Sequence, residues 1–129
     1  MNNLFNIKDY VVVITGGTGI LGRSIAKYLA LEGAKVIIGG RKEDVGKQIV
    51  DDITAAGGVC EFVKMDVMNK ENIQEACDYI VGKYSKVDTL LNAAGGNMAG
   101  ATITPDQNFF DLQTEAFQTV LNLNLTGTV

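Results

Sequence analysis

The stretch from Val11 to Gly22, Val-Val-Val-Ile-Thr-Gly-Gly-Thr-Gly-Ile-Leu-Gly, constrains the fold more than any other part of the chain. Val11, Val12, Val13 and Ile14 form an uninterrupted β-branched run, the pattern of a short buried strand. Glycines at 16, 17, 19 and 22 follow, and a helical apolar periodicity begins at Ile20. A strand, a glycine turn and a helix in that order let the backbone bend sharply beside a ligand. The free N–H groups of the turn and the helix dipole then favour an anion such as a pyrophosphate. Gly16, Thr18, Gly19, Ile20, Leu21 and Gly22 are therefore candidate phosphate-binding positions. The competing reading is a tight strand-to-helix connection with no ligand.

The rest of the chain repeats the alternation. Strands are expected at 10–15, at Val36-Ile37-Ile38, from Cys60 to Lys64 and from Val87 to Asn92. Helices are expected at 20–32, 43–56 and 70–85. The first turns Ile25, Ala26, Leu29 and Ala30 inward and stops at Gly33. The second carries a stripe of Val45, Ile49 and Ile53 and ends at Gly57-Gly58. The third places Ile73, Cys77, Ile80, Val81 and Tyr84 on one face. Thr104-Pro105-Asp106-Gln107 reads as a further helix start. A last helix is expected from Thr114, with Phe117, Val120, Leu121 and Leu125 inward. Alternating β and α elements imply a doubly wound parallel sheet covered by helices. The expected strand order is 3-2-1-4, with the ligand crevice above the carboxyl ends of strands one and four. The whole of 1–129 reads as one dinucleotide-binding unit. Strand four would be an edge, so the sheet is expected to continue in strands that lie outside this sequence. A small protein that hides the edge in an oligomer is the alternative.

Composition excludes several functions. Eleven Lys and Arg against fifteen Asp and Glu give a formal net charge of −4, against the basic face that nucleic-acid binding usually needs. No apolar run is long enough to span a bilayer, and Met1-Asn2-Asn3-Leu4-Phe5-Asn6 lacks the basic and apolar regions of a signal peptide. The chain has no histidine, so no histidine base or histidine metal ligand comes from it. Cys60 and Cys77 have no metal spacing and read as small buried or half-buried thiols in a reducing compartment.

Other candidates lie at the strand ends. A ribose-binding acid is expected about twenty residues after the glycine turn, but Gly39-Gly40-Arg41 stands there. With no carboxylate to repel a 2′-phosphate and with Arg41 able to clamp it, the site leans to NADP over NAD. Arg41 could instead be a solvated residue or stack on an adenine. Arg23 either adds charge nearby or is a surface residue. Asp66 either accepts from an adenine amino group or caps a loop. Asn92-Ala93-Ala94-Gly95 ends strand four with small side chains that admit a flat ligand, and Asn92 can tie the strand to its neighbour. Asn124 falls on the apolar stripe of the last helix, where a buried amide needs backbone or water partners.

These segments together resemble the N-terminal half of a short-chain dehydrogenase/reductase. The resemblance covers nearly the whole chain. It rests on Thr15-Gly16, Gly19 and Gly22, on Asp66-Val67, on Asn92-Ala93-Ala94-Gly95 and on Asn124-Leu125-Thr126-Gly127. It implies a Rossmann fold, NADP or NAD as coenzyme, and hydride transfer between a nicotinamide and a small-molecule carbonyl or alcohol. By resemblance Asp66 and Val67 contact adenine, and Asn92 to Gly95 steady the sheet beside the coenzyme. Asn124 matches the catalytic asparagine, which helps hold a water for proton relay. The family also implies a cytoplasmic homo-oligomer, a dimer or tetramer built in part on the helix from Thr114. Two departures stand out. Position 20 is Ile where single-domain members carry glycine. The family's serine and its Tyr-x-x-x-Lys pair are expected beyond Val129; Tyr10, Tyr28, Tyr79 and Tyr84 are read as not followed by Lys at that spacing and so as no substitute, and the chain alone is expected to be inactive. Ala94-Gly95-Gly96-Asn97 is similar to sugar-acid reductases such as mannonate or fructuronate oxidoreductases and gluconate dehydrogenases. A 3-oxoacyl, steroid or other carbonyl reductase, or a non-catalytic dinucleotide-binding protein, is the alternative.

Overall fold

The computed structural model describes residues 4–129; Met1-Asn2-Asn3, part of the N-terminal segment considered above, lies outside them. The elements are β1 (Val11–Thr15), α1 (Ile20–Leu31), β2 (Lys35–Gly40), α2 (Glu43–Ala55), β3 (Val59–Lys64), α3 (Lys70–Tyr84), β4 (Thr89–Asn92) and α4 (Thr114–Asn124), with three short 3-10 turns after β4. The four strands form one parallel sheet in the order β3-β2-β1-β4. Register places Ile14 beside Ile38 on one side and Leu91 on the other.

Strand alternation divides the core into two layers. Val12, Ile14, Val36 and Ile38 face α1 and α2, where Ala26, Ala30, Ile49 and Ile53 meet them. Val11, Val13 and Ile37 face α3, against Ala76 and Ile80. β1 and β2 are covered on both faces, which is why their sequences are continuously apolar. Gly33 ends α1 in the left-handed conformation at φ +94°. Its N–H bonds Ala30 O and the next N–H bonds Leu29 O, both at 3.1 Å, a glycine-dependent helix stop.

The stripe of Val45, Ile49 and Ile53 packs on the core as expected, while the other helix faces differ in part from the expected stripes. On α1 the buried residues are Gly22, Ala26 and Ala30, spaced by four. This small-residue ridge brings the helix close to the sheet and leaves Ile25 at its margin, 37% exposed. On α3, Ala76 and Ile80 are the buried residues, so Cys77 and Val81 sit one position round and are exposed. On α4 only Ala116 is buried. Phe117, Leu121 and Leu125 are exposed rather than inward, because no described element packs on that face. Leu90 on β4 is 56% exposed along the sheet's open edge.

Two local expectations are corrected. Strand four begins at Thr89, not Val87. Ahead of it the Asp88 carboxylate accepts from Val11 N–H at 2.8 Å, so a side chain caps the ladder there. Thr104 to Gln107 closes a turn and starts no helix. Gln107 N–H goes to Thr104 O at 3.0 Å, and Gln107 Oε1 takes both the N–H and the hydroxyl of Thr104. The Thr104 hydroxyl takes no backbone N–H as a cap would, and no helix follows the turn. The reciprocal capping box lies further on, between Asn108 and Asp111, around a single 3-10 turn.

Candidate coenzyme site

The glycine turn is built by backbone contacts. Gly16 adopts φ +64°, and a Cβ there would stand 2.5 Å from Ala93 O and 2.7 Å from Ala94 Cα. Gly17 N–H bonds Gly39 O at 2.9 Å, and Gly19 N–H bonds Gly16 O at 3.0 Å. The turn is thus pinned between the exits of β2 and β4. Gly22 presses on the turn from above: a Cβ at 22 would lie 2.8 Å from Gly17 Cα.

α1 starts at Gly19 with no side-chain cap and no acidic residue in its first turn. Its first bond across the start is Arg23 N–H to Gly19 O, 3.0 Å. The N–H groups of Ile20, Leu21 and Gly22 are left as open donors at the positive end of the helix. Ile20 and Leu21 are exposed beside them.

A crevice of about 200 Å³ runs from this turn across the sheet edge. It brings together Gly16, Thr18, Gly19, Arg41, Asp66, Val67, Ala93, Ala94 and Gly95 from the expected set, and adds Gly40, Met65 and Leu123. Thr15 ties its two walls: its carbonyl accepts from Ala93 N–H at 3.2 Å and its hydroxyl from Ala94 N–H at 3.3 Å. The expected role of Asn92 falls to Thr15. The Asn92 side chain lines the neighbouring apolar cleft with Thr15, Leu90 and Cys77, on the α3 side, and makes no hydrogen bond among the described residues.

Asp66 is the loop cap of one reading and also lies beside the crevice. Its Oδ1 accepts from Met68 N–H at 3.0 Å, and its own N–H is held by Asn72 Oδ1 at 2.7 Å. Asn124 is exposed, not buried. Its Nδ2 donates to Gly96 O and to Val120 O, each at 2.8 Å, and its Oδ1 accepts from Gly96 N–H at 3.1 Å. One amide thus satisfies both backbone groups of Gly96 and holds the loop after β4 against α4.

Three cations gather at the far end. Arg23, Arg41 and Lys42 border a shallow hollow beside Thr18 and Gly19. Arg23 Nε bonds Gly19 O at 3.3 Å, and Arg41 is exposed with no ion pair among the described residues. Lys42 carries no distinct signal in the sequence, since a lysine just ahead of a helix reads as a solvated residue.

One expectation about the tyrosines is wrong. A Tyr-x-x-x-Lys spacing does occur, from Tyr79 to Lys83 on α3. It lies away from the crevice, on Glu61 of β3. Glu61 accepts from Tyr79, from Lys83 Nζ at 2.7 Å and from Tyr84 at 2.5 Å. Burial alone raises the Glu61 pKa, but these hydrogen bonds outweigh it and the pKa is lowered. The pair ties a helix to an edge strand. The cysteines also differ: Cys77 is exposed, and only Cys60 is half-buried, its thiol pushed up to about 11 mainly by burial. No described helix is long and apolar enough to cross a membrane.

A parallel sheet with a glycine turn at its first strand, an uncapped helix start and a crevice between β1 and β4 defines an α/β protein of the Rossmann class. Comparison with known proteins narrows this: residues 10–129 match the family model for short chain dehydrogenase, and the chain belongs to that family. It is 38% identical over 130 residues to the uncharacterized oxidoreductase UxuB of Bacillus subtilis (strain 168), covering 95% of this chain and 47% of that protein. Among solved structures it resembles a protein from Haemophilus influenza described as a D-mannonate oxidoreductase with bound NAD. That match has a TM-score of 0.85 and 30% identity, over 95% of this chain and 47% of the other. It also resembles actinorhodin polyketide ketoreductase with NADPH, at TM-score 0.81 and 29% identity over 93% and 43% of the two chains. The chain spans about half the length of the relatives it matches.

Proposed function

We propose that this chain supplies the coenzyme-binding part of an NADP-preferring short-chain reductase that interconverts a carbonyl and an alcohol on a sugar acid. The observation that carries the reading is the uncapped start of α1, free of acidic side chains and faced by Arg23, Arg41 and Lys42. The cradle suits a diphosphate, since α1 starts without a side-chain cap and its first N–H groups stay open to an anion. Gly16, Gly19 and the N–H groups of 20–22 hold the diphosphate. Asp66 and Val67 border the adenine, and Ala93 to Gly95 leave the flat space beside it. Arg41 and Lys42 meet a 2′-phosphate. The bound nicotinamide supplies or accepts the hydride. Asn124 acts through Gly96, holding the loop that borders the reacting end. The tyrosine and lysine that move the proton belong to the remainder of the domain, so 1–129 alone binds coenzyme without turnover.

The sugar-acid assignment is supported by Ala94-Gly95-Gly96-Asn97 and by the likeness to the D-mannonate oxidoreductase. That relative's NAD favours a second reading in which Arg41 stacks on adenine and the preference is NAD. Calorimetric titration of the full-length protein tests both. A 2′-phosphate gaining charge-assisted hydrogen bonds at about 1.5–3 kcal/mol binds NADP roughly ten- to a hundredfold more tightly than NAD. Tighter NAD transfers the case to the second reading. Heat from neither dinucleotide removes the coenzyme reading altogether. Turnover of an acyl or steroid ketone but no sugar acid by the same protein replaces the substrate class.

A further inference from the structure

The space above the end of β2 is filled by Thr18. A Cβ built on Gly40 meets Thr18 Oγ1 at 2.7 Å, Cγ2 at 2.8 Å and Cβ at 3.3 Å. Both branches of the threonine face position 40. Threonine carries two heavy branches on three staggered positions, and two of those positions point at Gly40. Any rotation about χ1 therefore leaves at least one heavy atom in the way. Gly40 is buried, and its carbonyl accepts from Met65 N–H at 3.0 Å, so the strand end is not free to withdraw. Gly39 differs: its obstruction is the flexible side chain of Met65.

We infer that Thr18 is a specificity-determining residue: it gates position 40 against any side chain, and so excludes the carboxylate that would grip an unphosphorylated ribose. Glycine at 40 is then a consequence of threonine at 18, and coenzyme choice is encoded in the pair. The inference rests on the coenzyme reading above and adds to it the residue that enforces the missing acid. The Thr18 hydroxyl makes no hydrogen bond among the described residues and borders the crevice, so the gate also faces the ligand.

The test uses the full-length protein with 5′-AMP and 2′,5′-ADP, which report the adenosine end alone. Four proteins are compared by calorimetry: wild type, Thr18→Ala, Gly40→Asp and the double variant. Wild type is expected to favour 2′,5′-ADP. Gly40→Asp alone weakens both ligands about tenfold or more, because strain displaces the turn. The double variant recovers 5′-AMP and prefers it. A full switch to 5′-AMP by Gly40→Asp alone overturns the gate. Thermal melting of Gly40→Ala supplies a reading independent of ligand. It should lower Tm by several degrees with Thr18 present and by far less in Thr18→Ala, a coupling of the size expected for touching residues. Equal drops in the two backgrounds also overturn the gate, even if Gly40→Asp fails to fold. If wild type binds neither nucleotide, the coenzyme reading fails, and the melting cycle still decides whether Thr18 shapes position 40.

Discussion

Gly16→Ala asks the most of the structure. Two separate costs apply. The backbone at 16 sits at φ +64°, where an L-residue costs roughly 1–2 kcal/mol. The new methyl also stands 2.5 Å from Ala93 O, and overpacking of this kind costs about 1–3 kcal/mol. The sum is about 2–5 kcal/mol, a large part of the roughly 5–15 kcal/mol that holds a domain together. At about 3–5 °C per kcal/mol for a chain of this size, Tm should fall by roughly 6–25 °C. Two other glycines separate the terms. Gly57 has φ +94° with no atom within 4 Å of its added Cβ, so Gly57→Ala carries the backbone cost alone. Gly82 lies in α3 with open space around it, and Gly82→Ala should gain about 0.5–1 kcal/mol from helix propensity. Scanning calorimetry should rank the melting points Gly82→Ala, wild type, Gly57→Ala and Gly16→Ala, from high to low. Gly16→Ala melting no lower than Gly57→Ala would refute the claim that the exit of β4 packs on the turn.

Asn124→Asp keeps an acceptor for Gly96 N–H but loses both donors and sets a charge against two carbonyls. A loss of about 1–3 kcal/mol is expected, with faster hydrogen exchange at Gly96 as the local readout; unchanged exchange there contradicts the clamp. The lowered pKa of Glu61 gives stability that is complete above its unfolded value of 4.5 and disappears as pH falls through the folded value. Melting points should therefore decline on acidification below about pH 5, and Glu61→Gln should flatten that limb. The Tyr84 hydroxyl, raised to about 12 by burial and by Glu61, contributes oppositely. Its share is present below the ordinary value of 10.0 and vanishes as pH climbs toward 12, so Tyr84→Phe should lessen the alkaline loss. Arg41→Ala in the full-length protein should cost NADP about tenfold and leave NAD unchanged; equal losses would mean that Arg41 serves the adenine.

The sheet was readable because period and punctuation agreed. Val11 to Ile14 and Val36 to Ile38 are covered on both faces, so burial shows directly as an apolar run. Gly33 announced the end of α1 because only a left-handed residue fits there. Helix faces were harder. On α1 the inward Ala26, Leu29 and Ala30 were legible, but Gly22 joins the buried ridge and Ile25 loses its place at the contact. The α4 stripe was equally visible but has no described partner to bury it. Thr104 to Gln107 carried the residues of a cap, but the segment closes one turn through Gln107 N–H and Thr104 O and does not continue as a helix. At the site, residue types at the strand ends were legible as crevice-lining. The dual attachment of Asn124 and the gate at Thr18 were not, because each depends on contacts between segments remote in sequence.

The contact of Gly22 with the turn has one more consequence. No layer of side chains separates α1 from the loop beneath it; peptide touches peptide. Movements of the helix must therefore reach the turn undamped, and an anion bound there as proposed would stiffen the helix in return. Substitutions meant only to adjust affinity at this spot will be felt as changes in heat resistance, and those meant only to harden the core under α1 will alter affinity. Selection acting on this corner of the molecule has a single dial for two properties.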